Sequence, residues 1–208
     1  MSKTKASAGP AIHRPYVPPP PPKMPKTPKA ARTRRRLIDV AGQLFIERGY
    51  GAVSMRDIAA AADLTHGAIY GHFRSKGQLL IEVIRWQLAE QDYAPGHIEA
   101  VGDPERGVEQ GYTEGRLKSQ VLEVDAAAAA RHDPDVAAGL AALWQERLAV
   151  LQEFIRSDPD HADPDTAAWL IHVYAAGLSA KYAAGVPFPD RDRLYAATRA
   201  MFRGLAEG

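Results

Sequence analysis

Apolar positions in the first third of the chain repeat at helical spacing, and short polar residues sit where helices should begin. Leu37, Val40, Ala41, Leu44 and Phe45 fall at i, i+3, i+4, i+7 and i+8, and Arg48 followed by Gly49 supplies a cationic last turn and a glycine stop. Ser54 and Asp57 then form a Ser-x-x-Asp capping box ahead of a short helix, about Met55 to Ala62, whose stripe is Ile58, Ala59 and Ala62. Asp63 takes the turn, because a short polar side chain tolerates a left-handed backbone better than other non-glycine residues, and Leu64 tucks inward. Thr65 caps a second short helix that exposes His66, Gly67, Ala68, Tyr70 and Gly71 and buries Ile69 and Phe73. Ser75 with Gln78 repeats the capping box for the next helix. Two short helices joined by a tight turn, with polar groups displayed on the second, form the layout of a helix-turn-helix.

Beyond this head the pattern stays helical. Asp-Pro pairs at Asp103-Pro104, Asp133-Pro134 and Asp163-Pro164 each fit an N-cap followed by proline at the first helical position. The spacing predicts helices over about 76–92, 104–131 (interrupted near Gly115), 134–157, 164–184 and 190–206, with no two-residue alternation that would signal strands. The expected fold class is all-α, about nine helices, with a three-helix helix-turn-helix head on a larger helical body. The last two helices carry Leu170, Val173, Tyr174, Gly177 and Leu178, then Leu194, Ala197, Met201, Phe202 and Leu205, at helical spacing.

Composition changes this picture mainly through charge. The chain has 208 residues, 46% hydrophobic and 25% charged, enough for one good core or two modest ones. Residues 1–36 hold ten Lys or Arg and no acid, whereas residues 37–208 hold sixteen basic and twenty-five acidic residues, about −9 net. Positive charge is therefore concentrated beside the head. Nine of the sixteen prolines precede residue 30, including the run Pro18 to Pro22, so residues 1–31 are expected to be an extended basic arm, 32–78 the head and 79–208 the body. Arg34 and Arg35, with Arg32 and Arg36, are candidates to neutralise phosphates; a solvated linker is the alternative for the residues before them.

Other chemistries are excluded or weakened. No cysteine is present, which removes disulfides, thiol catalysis and thiolate metal sites. No two histidines stand four residues apart, and no nucleophile elbow, Walker loop, dinucleotide fingerprint or His-Glu-x-x-His occurs, so no metal, cofactor or enzymatic activity is expected. No apolar run has the length of a membrane span and no secretory signal core opens the chain, so a cytoplasmic protein is expected.

Gly49, Arg56 to Ala59, Tyr70, His72, Phe73, Ser75 and Lys76 together resemble the signature of the TetR family of one-component bacterial regulators, over roughly residues 33 to 85. The chain departs from that pattern at Asp63, Gly71 and Gly77. The resemblance implies that Tyr70, His72 and Lys76 hold phosphates, with Ser54 and Thr65 adding contacts at helix starts. Base reading is expected from Arg56, whose fork suits guanine O6 and N7, and from His66, Gly67 and Ala68. Packing alone for Tyr70, half-burial for His72 and a plain surface charge for Arg56 are the alternatives. The resemblance further implies a homodimer formed through the last two helices, where an intrachain stripe would explain the same pattern. It implies a small-molecule effector pocket in the body as well. Tyr112, Trp144, Trp169, His172 and Tyr174, with Phe154 and Tyr182, are the candidate lining, a plain aromatic core being the alternative, and their composition favours a hydrophobic effector. The expected function is a repressor that binds a near-palindromic operator in double-stranded DNA and is released by that effector. Its rivals are a general DNA binder or activator using the arm, and a helical protein-interaction module. The helix after Ser75 is the expected lever between body and head, with Gly77 loosening the joint.

Overall fold

The computed structural model describes residues 27–92, 114–156 and 163–207, and every regular element in them is a helix. In chain order these are α1 (Pro28–Arg48), α2 (Met55–Ala61), α3 (His66–Tyr70), α4 (Lys76–Asp92), α5 (Glu114–Ala129), α6 (Pro134–Arg156), α7 (Pro164–Ala183) and α8 (Arg191–Glu207). The all-α expectation holds, with eight helices among the described residues against about nine expected. Asp103-Pro104 and Tyr112 lie outside those residues. No helix among them is long and apolar enough to cross a membrane.

The caps do what their chemistry predicts. Ser54 Oγ accepts from the Asp57 N–H (3.2 Å) while Asp57 Oδ2 accepts from the Ser54 N–H (2.8 Å), closing the capping box of α2. Thr65 Oγ1 accepts from the Ala68 N–H (3.2 Å), and Asp63 holds the turn at φ 54°. Asp163 caps α7 through the Thr166 N–H (3.1 Å). At Ser75 the box is skewed: Ser75 Oγ accepts from the Gln78 N–H, but Gln78 Oε1 accepts from Arg74 rather than from Ser75.

One boundary moves. Residues 28–31, expected to end the proline-rich arm, are the first turn of α1. Thr27 Oγ1 accepts from the Ala30 N–H (3.2 Å) and Pro28 stands where its missing N–H costs nothing. This is the Asp-Pro device of the later helices in a Thr-Pro form.

Head and body share one core. Leu37, Phe45, Ile58, Ile69 and Phe73 of the head join Leu79, Leu80, Val83 and Ile84 of α4, Leu122 of α5 and Val136, Leu140 and Leu143 of α6 in a single buried cluster. The division expected at residue 78 therefore falls near the start of α4, inside continuous packing. A smaller cluster around Ile155, Ala167 and Ala168 joins α6 to α7. At the end of the chain, Tyr174 on α7 and Thr198 on α8 share a hydroxyl–hydroxyl bond (2.6 Å).

The joint at α4 is tight where it was expected to be loose. A Cβ on Gly77 would lie 2.8 Å from Val136 Cγ2 and 2.9 Å from Asp133 Oδ2, and one on Gly139 would lie 2.6 Å from Ile81 Cγ1. A glycine on each helix thus permits α4 and α6 to approach closely, and Gly77 serves contact, not flexibility. Gly139→Ala should cost about 1–3 kcal/mol as an overpacking change. The expected result is a lower urea midpoint at unchanged m-value.

Candidate nucleic-acid interface

The short helix α3 is held from beneath and open from above. Ile69 and Phe73 are wholly buried, each contributing about 1.5–3 kcal/mol by leaving water. His66, Gly67, Ala68 and Tyr70 are exposed on the other side, and the His66 and Tyr70 rings meet edge to face at 5.2 Å. Arg56 on α2 and the capping residues Ser54 and Thr65 are exposed too. Glycine and alanine beside an aromatic pair give a face low enough for a base edge to approach and polar enough to hydrogen-bond it.

Two cations assigned to phosphates are engaged inside the head. Arg34 is 8% exposed; Nη1 donates to the His72 carbonyl (2.8 Å), Nη2 pairs with Glu82 (3.0 Å), and the guanidinium lies 4.2 Å over the Phe73 ring. Lys76 donates from Nζ to the Tyr50 and Val53 carbonyls (both 2.8 Å) and sits 4.1 Å over the Tyr50 ring. Burial lowers its ammonium pKa, opposed by the Asp133 charge. These are struts that tie α4 to α1 and to the α1–α2 loop, and neither is placed as a phosphate contact. Arg35 pairs with Asp39 and stacks 3.4 Å over Trp86. His72 is half-buried; burial, then the Arg34 charge, holds its imidazole below the usual range, so it is neutral at neutral pH.

Toward the start of α1, Lys29, Arg32 and Arg36 face solvent at i, i+3 and i+7 on one face. Helical phase alone separates them from Arg34, which stands three before Leu37 and four before Ile38 on the core stripe. Because Arg34 reaches His72 and Phe73, this half of α1 runs beside the end of α3.

Of the aromatic groups expected around a body pocket, Trp144 and His172 come together. Their rings meet edge to face at 5.4 Å in the wall of a cavity of about 170 Å³ among α5, α6 and α7. Glu123 and Arg147 also line it, with Gln120 and Ser179. Glu123 accepts from Trp144 Nε1 (3.0 Å) and from Arg147 Nη1 (2.9 Å), and Ser179 Oγ donates to Gln120 Oε1 (2.7 Å). His172 Nε2 is buried with no partner, and burial, then Arg147, lowers its pKa against the opposing Glu123 charge. Trp169 and Tyr174 do not line the cavity. Trp169 is 56% exposed, and Tyr174 points to Thr198. Tyr182 stacks on Phe188 (6.4 Å) instead.

A family model described as bacterial regulatory proteins, tetR family, matches residues 37–83, the stretch from α1 through the turn to the first half of α4. The head is of the TetR type. It is 40% identical over 70 residues to the HTH-type transcriptional regulator AcrR of Shigella flexneri, covering 34% of this chain and 32% of that protein. It is 34% identical over 120 residues to the HTH-type transcriptional regulator Mb3439c of Mycobacterium bovis, covering 50% of this chain and 63% of that protein. The chain thus spans about a third to two thirds of the length of these relatives, and the shorter match is confined to a head-sized stretch. In fold, a putative TetR-family transcriptional regulator from Rhodococcus sp. superposes with a TM-score of 0.69 at 16% identity, over 82% of this chain and 98% of that one. A putative transcriptional regulator from Saccharomonospora viridis in complex with choline does so at 0.65 and 21%, over 83% and 96%. At such identities the likeness is one of fold.

The TetR-type head should therefore split its cations by substitution. Arg34→Met and Lys76→Met are each expected to lower stability by about 1.5–3 kcal/mol, the worth of charge-assisted hydrogen bonds. Arg32→Met and Arg36→Met should stay within about 0.5 kcal/mol of the parent in urea denaturation.

Proposed function

We propose that this chain is a sequence-specific, homodimeric transcriptional repressor of the TetR family, released by a small molecule bound in its body. The observation that carries the reading is the α3 face: His66, Gly67, Ala68 and Tyr70 exposed on a helix fixed from below by Ile69 and Phe73, with Arg56 exposed on the helix before it. One such helix spans only a few base pairs, so affinity requires two heads about 34–36 Å apart on a near-palindromic site. The exposed apolar residues Trp169 and Val173 on α7 and Met201 on α8 support pairing through the last two helices.

Within that reading, Arg56 reads guanine, and His66, Gly67 and Ala68 meet neighbouring base edges. Tyr70, Ser54, Thr65 and a neutral His72 donate to phosphates. The basic face Lys29, Arg32 and Arg36 supplies the charge first assigned to Arg34 and Lys76.

Release needs a ligand that binds better to a state with the heads mis-spaced. The body helices that line the cavity also grip the head, which supports such coupling. On α5, Glu123 lines the cavity and Asp125 Oδ2 accepts from the Tyr50 N–H (2.9 Å). On α6, Trp144 and Arg147 line the cavity, while Asp135 accepts from Ser75 Oγ (2.6 Å) and Arg74 Nη2 (3.2 Å).

The deciding experiment is binding of the purified chain to its own upstream intergenic DNA and to a scrambled duplex across a salt series. Tight, selective binding is expected; equal and salt-labile binding to both duplexes would replace the repressor with a general DNA binder. On the selected site, Arg56→Ala should lose about 1–3 kcal/mol of discrimination at one base position. Arg32→Ala and Arg36→Ala should weaken all sequences alike and each reduce the salt slope by about one.

A further inference from the structure

We infer that the cavity among α5, α6 and α7 takes an uncharged single-ring compound carrying one hydroxyl, of the size and polarity of phenol. The inference deepens the proposed effector site and rests on it for its regulatory meaning, but not for the binding itself.

Size sets the first limit. The cavity measures about 170 Å³. An apolar protein cavity of about 150 Å³ accommodates benzene, so the space matches one ring. Ala127, Ala176 and Ala180 line the cavity and are themselves exposed, leaving an entrance bordered by small side chains.

Charge sets the second. The Glu123 carboxylate is already compensated by Arg147 Nη1, at 2.9 and 3.1 Å, and by Trp144 Nε1. The pair presents no net charge to the cavity, so an ionic ligand finds no uncompensated counter-charge there to offset its own desolvation, a cost that a neutral ligand avoids. The Gln120 and Ser179 side chains are bonded to each other, so they make no demand on a ligand's charge.

His172 sets the third. It lines the cavity, and its Nε2 is shielded from water with no partner, the costly condition for a polar atom. A bond to the ligand requires a turn of the imidazole about its Cβ–Cγ bond that presents a ring nitrogen to the cavity. Neutral imidazole presents one nitrogen as donor and the other as acceptor, and a hydroxyl, able to do both, satisfies whichever is offered. The adjoining Trp144 ring supplies an aromatic edge or face for the ligand ring.

The test is titration calorimetry of the full chain, without DNA, against four molecules built on one ring: phenol, benzene, benzoate and phenyltrimethylammonium. Saturable phenol binding is expected, roughly tenfold tighter than benzene, the worth of one hydrogen bond, with both charged rings weaker than either. His172→Phe keeps a ring in place and should bring phenol down to the benzene level. Benzoate or phenyltrimethylammonium binding as tightly as phenol would overturn the inference, as would the absence of phenol binding by a chain that melts cooperatively. The charged-ring comparison needs no variant, so it stands even if His172→Phe fails to fold. Operator binding without phenol binding would remove this ligand class and leave the repressor, whereas phenol binding without operator binding would do the reverse.

Discussion

The carboxylate of Asp133 is the point on which the head and the body are jointly built. Oδ1 accepts from the N–H groups of Asp135 (3.0 Å) and Val136 (3.2 Å), which starts α6. Oδ2 accepts from the Tyr50 hydroxyl (3.2 Å), just after α1, and both oxygens lie where a Cβ on Gly77 would come within 3.0 Å. Burial, then the Asp133 charge, pushes the Tyr50 phenol pKa up, so it stays a hydrogen-bond donor throughout the physiological range. The ring of Tyr50 also meets the Phe45 ring at 5.4 Å and carries Lys76 above it. One side chain thus caps a body helix, anchors the end of α1 and requires glycine at the start of α4. The apolar core could continue from Phe45 to Val136 without this knot, which acts together with the Asp125–Tyr50 and Asp135–Ser75 bonds to fix how the head meets the body.

Such a knot is hidden from sequence reading because its members are far apart. The caps at Ser54, Thr65 and Asp163, and the left-handed Asp63, were legible because each interaction closes within a few residues and depends on one side chain's reach. Thr27-Pro28 carried the same signal and was overshadowed by the prolines before it. Lys76 was not legible, since its partners are backbone carbonyls more than twenty residues upstream, and carbonyls have no residue identity to read. Arg34 is intermediate. Its place on the Leu37–Ile38–Ala41 stripe was visible in the helical phase, but in a run of arginines beside a helix-turn-helix, charge is a stronger signal than face.

The body illustrates a different limit. α7 carries apolar or small residues around most of its circumference, so periodicity could not separate Trp169, which is exposed, from His172, which faces the cavity. Tyr174 was legible as a residue needing a hydroxyl partner, but not that the partner would be Thr198 on the next helix. Among the described residues of the expected aromatic lining, Trp144 and His172 meet, beside the Glu123–Arg147–Trp144 pairings between α5 and α6. Aromatic content told that a cavity could be lined, but not where.

The same two helices therefore carry two polar assemblies of opposite character. Around Glu123 the pairings border a cavity, and a ligand can change what lies against them. Around Asp125, Asp133 and Asp135 they are packed into the head, where Gly77 and Gly139 leave no slack between α4 and α6. Close-packed elements move as bodies more readily than they deform. If occupation of the cavity displaces Trp144 or Arg147, α6 cannot absorb the shift within the Gly139–Ile81 contact, and the displacement is carried to Asp133 and Asp135 and so to Tyr50 and Ser75. Under the proposed function, those two residues stand just outside α2–turn–α3, so a small motion of α6 reorients the reading face without any ligand contact to DNA. A tight joint transmits such a motion better than a loose one, and for this reason glycine at 77 strengthens the case for a lever in α4.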